Sequence, residues 1–325
     1  MEILVTGGAG FLGAGLIRAL LAARDAGQAP PLLAEGRIIS LDLSPCPVSD
    51  LRVRSEIGSI ADPAVAGRLI GPQTAAVFHL AAVVSGQAEA EFETGMAVNL
   101  DGTRHLLDAC RIRAPRPFFF LSSSLAVFGR DCPPVVGEDQ VLRPQSSYGA
   151  QKAIGEMLVA DYSRRGFVEG VAARIPTVVI RPGRPNAAAS SFASSILREP
   201  VAGESAICPV PLDLPLWITS PDAAIRNIVV LAGLGRDRLG GRVPINLPGI
   251  TVTPREMLAA LERRCGAAAR VRVTHAPDLQ IEAIVASWPS AFDTTRARAL
   301  GMTGDTGIDE ILERHLTMIA ESAAT

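Results

Sequence analysis

Tyr148 stands four residues before Lys152, the single lysine of the chain, within Ser146-Ser147-Tyr148-Gly149-Ala150-Gln151-Lys152. Residues four apart share a helix face, so phenol and ammonium would project together. A phenol titrates near pH 10, and working near neutrality needs a drop of roughly 2 to 3 units, about 3 to 4 kcal/mol. An ammonium about 5 Å away supplies roughly 3 kcal/mol at an effective dielectric of 20, and under about 1 in water. The pair can therefore serve as an acid/base only in a partly closed pocket. A solvated pair on a surface helix is the alternative for this motif in isolation. Arginine fills the other basic positions of the 31, which marks residue 152 as a place for a compact ammonium that can also bond hydroxyls. Ser122, Ser123 and Ser124 follow the apolar run Phe118-Phe119-Phe120-Leu121. They could present a hydroxyl to a substrate oxygen beside Tyr148.

A second constellation opens the chain. Gly7, Gly10 and Gly13 lie in Thr6-Gly7-Gly8-Ala9-Gly10-Phe11-Leu12-Gly13, between an apolar β-rich run and a helical stretch. This spacing permits a tight turn, close approach of backbone N–H groups to a pyrophosphate, and close packing of helix on sheet. Asp42, at the end of the second apolar run, stands where a carboxylate accepts the adenosine ribose hydroxyls of a dinucleotide. A plain βα turn with a surface acid is the alternative. Asp42 favours NAD over NADP, since a 2′-phosphate there would meet like charge. The positive charge of the oxidised nicotinamide would also help to lower the phenol.

The elements that must position these groups are legible as strands near residues 3–5, 37–43, 52–57, 75–82, 118–121 and 171–180, with helical patterns at 11–23, 89–113 and 145–165. Their alternation predicts an α/β fold, a doubly wound parallel Rossmann sheet with a smaller C-terminal substrate-binding lobe. Residues 1–182, completed by about 217–250, are expected to form the cofactor-binding domain, and 183–216 with 251–325 the lobe. Segment 183–216 is rich in Pro, Ser and Ala and shows little period.

Composition narrows the partners. The chain has 325 residues, 48% hydrophobic, with 31 basic and 33 acidic side chains. That balance leaves no electrostatic footprint for nucleic acid or a membrane surface, so a small-molecule partner is expected. Five scattered cysteines form no C-x-x-C pair, and the N-terminus shows no leader pattern. A reducing cytoplasm fits best. His79, His105, His275 and His315 show no metal-ligand spacing, and no metal is expected. His79 reads as a buried strand histidine with a satisfied hydrogen bond.

Together with His79-Leu80-Ala81-Ala82 and Asn99-Leu100-Asp101-Gly102-Thr103, these motifs resemble the extended short-chain dehydrogenase/reductases, the NAD-dependent epimerase/dehydratase family. The resemblance implies that Ser124, five residues before Gly129, is catalytic, that Tyr148 is the acid/base, and that Lys152 lowers its pKa and holds the nicotinamide ribose. It implies a cofactor-binding set of Gly7, Gly10, Phe11, Leu12, Asp42, Ser59, Ile60, Leu80, Ala81, Ala82, Asn99, Ser122, Tyr148, Lys152, Pro176 and Thr177. A homodimer through the helices at 89–113 and 145–165 is implied as well.

Two departures carry information. Ser59 replaces the family's adenine-binding aspartate, and Pro215-Leu216 replaces the Arg-Asp whose arginine grips a sugar nucleotide's pyrophosphate. The second argues against a nucleotide-sugar substrate. Segments 81–92, 146–167 and 174–200 resemble a branch of the family that oxidises C2 of a four-carbon sugar acid with NAD. Such a substrate needs a cation for its carboxylate and polar groups for its hydroxyls. Ser85, Ser124, Tyr148, Thr177, Arg181, Arg184, Asn186 and Ser190 are the expected contacts, Arg184 foremost, with Gln87 and Ser191 nearby. For each arginine, a tie between loop and sheet is an equal alternative. A nucleotide-sugar epimerase or dehydratase, and a non-catalytic NAD-sensing module, remain the competing functions.

Overall fold

In the computed structural model, which describes residues 1–183 and 185–323, strands and helices alternate from the start. They run β1 (Glu2–Thr6), α1 (Phe11–Asp25), β2 (Arg37–Asp42), β3 (Val53–Ile57), α2 (Pro63–Leu69), β4 (Thr74–His79), α3 (Ser85–Ala90), α4 (Phe92–Gly95), α5 (Gly102–Arg113), β5 (Phe118–Ser124), α6 (Ser147–Arg164) and β6 (Glu169–Ile175). Then come β7 (Thr177–Val178), α7 (Ser191–Val201), β8 (Ala206–Cys208), β9 (Leu216–Thr219), α8 (Pro221–Ala232), α9 (Arg236–Leu239), β10 (Pro244–Asn246), β11 (Ile250–Val252), α10 (Pro254–Cys265) and α11 (Ala267–Arg270). The last are β12 (Val273–His275), α12 (Leu279–Val285), α13 (Thr295–Ala299) and α14 (Ile308–Ala323).

A seven-stranded sheet has the order β10-β6-β5-β4-β1-β2-β3, with every neighbouring pair parallel. The expected doubly wound Rossmann sheet is thus present. Parallel strands covered on both faces read as unbroken apolar runs, and accordingly Ile3, Leu4, Val5, Phe119 and Phe120 are fully buried. One face packs on α1 and α8, with Leu16, Leu20, Ile228 and Leu231 in its core, and the other packs Val65, Leu106, Leu107 and Val159 from α2, α5 and α6. Strand order reverses between β1 and β4, and a ligand crevice opens at the carboxyl ends there.

Three local expectations change. The sixth strand ends at Ile175, because Pro176 has no N–H to continue the ladder; β7 then leaves to pair with β9 in a separate three-stranded sheet. Segment 183–216 contains a helix, α7, that buries Phe192, Ala193, Ile196 and Leu197, a stripe obscured in the sequence by interleaved serines. The helical pattern over 89–113 is interrupted, with α3 and α4 meeting at Glu91 and a wide π turn at Met96–Asp101 before α5. A further apolar core joins α7, α10 and α14 with the small sheets. Among the described residues no helix is long and apolar enough to cross a membrane.

One buried ion pair ties the carboxyl ends of the strands to α6. Arg174 on β6 and Glu156 on α6 have side chains only 3% and 4% exposed, and Arg174 Nε and Nη2 donate to Glu156 at 3.0 and 2.8 Å. Ser123 Oγ donates to the same carboxylate at 2.5 Å. Arg174 Nη1 donates to Glu138 O at 3.0 Å, and its guanidinium lies over Phe128, 4.7 Å from the ring centroid. Neutralising one partner leaves the other charge buried and uncompensated, which costs about 3 to 5 kcal/mol. Glu156→Gln should therefore lower stability by that order in urea unfolding followed by circular dichroism; a loss under about 1 kcal/mol would contradict the assignment.

Candidate active site

The glycine turn brings β1, α1 and β4 into near contact. Gly7 has φ +72, and a Cβ there would sit 2.7 Å from Ala81 N; one on Gly13 would sit 2.1 Å from Gly7 O. Both positions thus require glycine, one for the left-handed turn and one for helix packing. Gly10 precedes α1 with no side-chain cap, so the orphan N–H groups of the first turn face the crevice at the positive end of the helix dipole. Asp42 accepts from Ala9 N at 3.0 Å and from Leu43 N at 2.7 Å, fixing its carboxylate beside the turn. These features fit a bound dinucleotide.

A cleft of about 530 Å³ runs from this turn to the far side of the sheet edge. Gly7, Gly10, Phe11, Leu12, Asp42, Ser59, Ile60, Leu80, Ala81, Ala82, Ser122, Pro176 and Thr177 line it, as do Ser85, Gln87, Ser124, Tyr148, Arg181, Asn186 and Ser190. Asn99 stands behind the lining. Its amide accepts from Val83 N at 2.8 Å and donates to Val83 O at 3.0 Å and to Gln151 Oε1 at 2.7 Å, so it holds the cofactor-facing segment in place. Ser191 is likewise outside the lining, and its hydroxyl accepts from Asn186 N. Arg184, the foremost sequence choice for a carboxylate, lies outside the described residues.

Strand alternation sorts the three serines. Ser123 faces Glu156, whereas Ser122 and Ser124 point the other way. Ser124 Oγ accepts from Ala126 N at 3.2 Å, leaving its own hydrogen to be given to Tyr148 or, in its place, to a ligand oxygen. Gly149 lets α6 press against the following turn, since a Cβ there would lie 2.1 Å from Ala126 O. That contact brings Tyr148 to Ser124. Ser146 caps α6 by accepting from Gly149 N, and Glu89 accepts from Ser147 N at 2.9 Å.

Burial raises the Tyr148 phenol, while the Arg181 charge and a hydrogen bond from Ser124 pull it down. Lys152 is fully buried beneath it, its Nζ 5.6 Å from the Tyr148 ring centroid, and burial lowers its pKa to about 8. Burial thus weakens the ammonium, and Arg181 is a second cation acting on Tyr148. Sequence reasoning had assigned that electrostatic part to Lys152, helped by the oxidised nicotinamide, and had not included Arg181. Arg181 Nε donates to Val178 O at 3.0 Å and its Nη2 to Ser190 Oγ at 2.9 Å. Two of the five N–H donors of the guanidinium are so engaged, and the group lines the cleft.

His79 has the buried, satisfied role expected of it. Thr103 Oγ1 donates to Asn99 O at 2.6 Å, so it must accept from His79 Nε2 at 2.9 Å. His79 Nδ1 then accepts from Thr6 Oγ1 at 2.8 Å, which in turn accepts from Ala81 N. Burial pushes the imidazole down to about 3, and the neutral ring ties β4 to β1 directly under the cleft. Sequence reasoning missed Trp288, which enters the lining from the segment after α12 beside Leu125; a lone tryptophan between helical patterns carries no spacing signal.

Comparison with known proteins agrees with this geometry. The chain is 50% identical to D-erythronate dehydrogenase of Cupriavidus necator over 317 residues, 97% of this chain and 98% of that one. It is 41% identical to D-erythronate dehydrogenase of Haemophilus influenzae over 97% of this chain and 99% of the other. A crystal structure described as a nucleoside-diphosphate-sugar epimerase from Agrobacterium tumefaciens superposes with TM-score 0.88 at 36% identity, covering 98% of this chain and 94% of that one. The profile of the NAD dependent epimerase/dehydratase family matches residues 3–217, and the chain belongs to that family.

Proposed function

We propose that this protein is an NAD-dependent dehydrogenase that oxidises D-erythronate at C2. The observation that carries the reading is the partly buried Arg181 guanidinium beside Tyr148 and Ser124 in one cleft, a carboxylate-binding group next to an acid/base. Near-full-length similarity to two D-erythronate dehydrogenases supports the substrate. Residues 1–182 with 217–250 would hold the cofactor, and the remainder would cover the substrate.

Bound NAD supplies the hydride acceptor. The glycine turn and α1 receive its pyrophosphate, and Asp42 receives the adenosine ribose. Tyr148 Oη takes the proton of the C2 hydroxyl, while Ser124 donates a hydrogen bond to that oxygen. Arg181 holds the carboxylate, so that C2 stands between the acid/base and the cofactor. Lys152 supports the phenolate from beneath. The epimerase reading loses ground at residues 215 and 216, where an exposed proline and a buried leucine offer no guanidinium to a pyrophosphate.

We propose a homodimer as well, through the outer face of α5 and α6, where Ile112 and Met157 are 67% and 63% exposed and Ile154 is 40% exposed. Sedimentation equilibrium should return twice the chain mass, and a single-chain mass at micromolar concentration would refute it.

The decisive assay is NADH formation across four- to six-carbon aldonates beside UDP- and dTDP-sugars. Erythronate should be turned over and the sugar nucleotides should not; the reverse outcome would put the epimerase reading ahead. Truncating one partner of a desolvated charge pair costs about 2 to 5 kcal/mol, so Arg181→Ala should cut kcat/KM for erythronate by at least about thirtyfold. It should also move the acidic limb of the kcat profile to higher pH, because the cation acting on Tyr148 is removed.

Lys152 yields a prediction of opposite sign for stability. Its folded pKa, about 8, lies below the unfolded value of 10.5, so the folded state pays a charging penalty that is full below pH 8 and fades as pH rises toward 10.5. Lys152→Met should lose turnover yet unfold at higher urea than the parent at pH 7, with the gap narrowing between pH 8 and 9.5. A gap that widens over that interval would contradict the sign.

A further inference from the structure

The short helix α3, Ser85–Ala90, joins two parts of the cleft that lie far apart in the chain. At its start Ser85 Oγ accepts from Ala189 N at 3.0 Å in a buried contact, and a Cβ on Gly86 would lie 2.3 Å from Ala187 O. The segment so held brings Asn186, Ala188 and Ser190 into the cleft lining, and Ser190 Oγ accepts from the Arg181 guanidinium at 2.9 Å. Glu89 stands four residues after Ser85, on the same face of the helix. Its Oε2 accepts from Ser147 N at 2.9 Å. Ser147 is the first residue of α6, so its N–H is one of the four that the helix itself cannot pair. The local cap, Ser146, accepts from Gly149 N instead. Glu89 is therefore a long-range tie on the turn that carries Tyr148, although it is exposed and lies outside the cleft lining.

We infer that Glu89 is a positioning residue, which fixes the Tyr148 phenol relative to the carboxylate grip at Arg181 and Ser190. The inference rests on the sugar-acid reading above, in which Arg181 takes the carboxylate and Tyr148 takes the C2 proton. The link runs from Arg181 through Ser190 to Ala189, through Ser85 and one turn of α3 to Glu89, and through Ser147 to Tyr148. Each step is a hydrogen bond, a covalent neighbour or a helical turn. Gly149 sets the first turn of α6 against Ala126 O at the end of β5, and Glu89 sets the same turn against the substrate segment. A substrate held by its carboxylate presents C2 to the phenol only while that spacing is kept, and an ångström-scale misplacement can cost about a hundredfold in rate. The loss of Glu89 therefore falls on kcat, and the two binding steps stay nearly as they were.

The test compares Glu89→Ala, which removes the acceptor, and Glu89→Gln, which keeps a neutral one, with the parent. Initial rates are measured with D-erythronate and NAD well below each variant's thermal midpoint, where a loss of helix stability alone leaves kcat unchanged. Glu89→Ala should lower kcat about fivefold or more, a fraction of the cost of a full misplacement, with the erythronate KM and the NAD dissociation constant within about twofold of the parent. Glu89→Gln should keep at least about half of the parental kcat, because its amide oxygen still accepts from Ser147 N. A kcat for Glu89→Ala within about twofold of the parent would make Glu89 a plain helix cap, and an equal loss in Glu89→Gln would assign its effect to charge. Either result would overturn the inference while leaving the functional reading standing, since the parent still oxidises erythronate. If the parent oxidises no aldonate at all, the functional reading fails and this inference falls with it.

Discussion

The geometry of the cleft depends on the buried pair between Arg174 and Glu156. Glu156 lies one helical turn beyond Lys152 and two beyond Tyr148 on α6, so the rotation of that helix about its axis is set by where its carboxylate meets β6. The same carboxylate accepts from Ser123, and that bond sends the neighbouring Ser124 to the opposite, cleft-facing side of β5. A single desolvated anion thereby orients both members of the acid/base pair. Its partner reaches further, to Glu138 O and toward Asn246 at 3.5 Å, which secures β10 at the edge of the sheet. An apolar pair of equal volume could match the stability but would not carry this directional information.

A second polar chain does the corresponding work at the cofactor end. Ala81 N, Thr6, His79, Thr103 and Asn99 O form one run of donors and acceptors in which each hydroxyl both gives and receives. The run closes only with a neutral imidazole protonated at Nε2. Asn99 adds the link from the π turn to Val83 and Gln151. Wide helical turns accompany functional sites because they rotate a side chain out of the regular ladder, and here the rotation aims an amide at the loop that lines the cleft. Asn99 thus acts on the cofactor-facing backbone without touching the cleft itself.

Local periodicity made the sheet legible. Ile3-Leu4-Val5 and Phe118-Phe119-Phe120-Leu121 are buried on both faces, and glycine spacing at 7, 10 and 13 follows from contacts within a few residues of one another or with one neighbouring strand. Tyr148 and Lys152 were legible for the same reason, since a helix places them four apart. Contacts set by long-range folding were not. Arg181 is adjacent to Tyr148 only because the chain leaves the sheet at Pro176 and turns back through Val178, and nothing in the spacing of residues 148 and 181 signals it. Trp288 reaches the cleft from more than a hundred residues beyond α6, through a bridge between Val136 and Phe292 that no periodicity encodes. Helix α7 was hidden because Ser190, Ser191, Ser194 and Ser195 interrupt its apolar stripe; Ser190 and Ser194 instead bond Arg181.

Those serines explain how the two sides of the cleft are coupled. Ser194 Oγ accepts from Arg181 N at 3.0 Å, Ser190 Oγ from its guanidinium, and Arg198 Nη1 donates to Arg181 O at 2.6 Å. Three residues of one helix and its cap therefore grip the backbone and the side chain of a single arginine. Arg198 is paired with Glu199 at 2.5 Å, so the charge brought near Arg181 from behind is compensated. The partly buried guanidinium is lowered by its desolvation, and hydrogen bonds to neutral hydroxyl and carbonyl oxygens offset only part of that loss. The remaining driving force is toward an anion. With Tyr148 held protonated by burial, an incoming carboxylate meets no competing negative charge at Arg181, and the cation that receives the carboxylate is the same one that lowers the phenol. Substrate binding and proton abstraction are in this way linked through one side chain: a carboxylate that neutralises Arg181 weakens its pull on Tyr148. The positive nicotinamide and the Lys152 ammonium must then carry the phenolate, which is a physical reason for retaining a lysine whose burial the fold would otherwise resist.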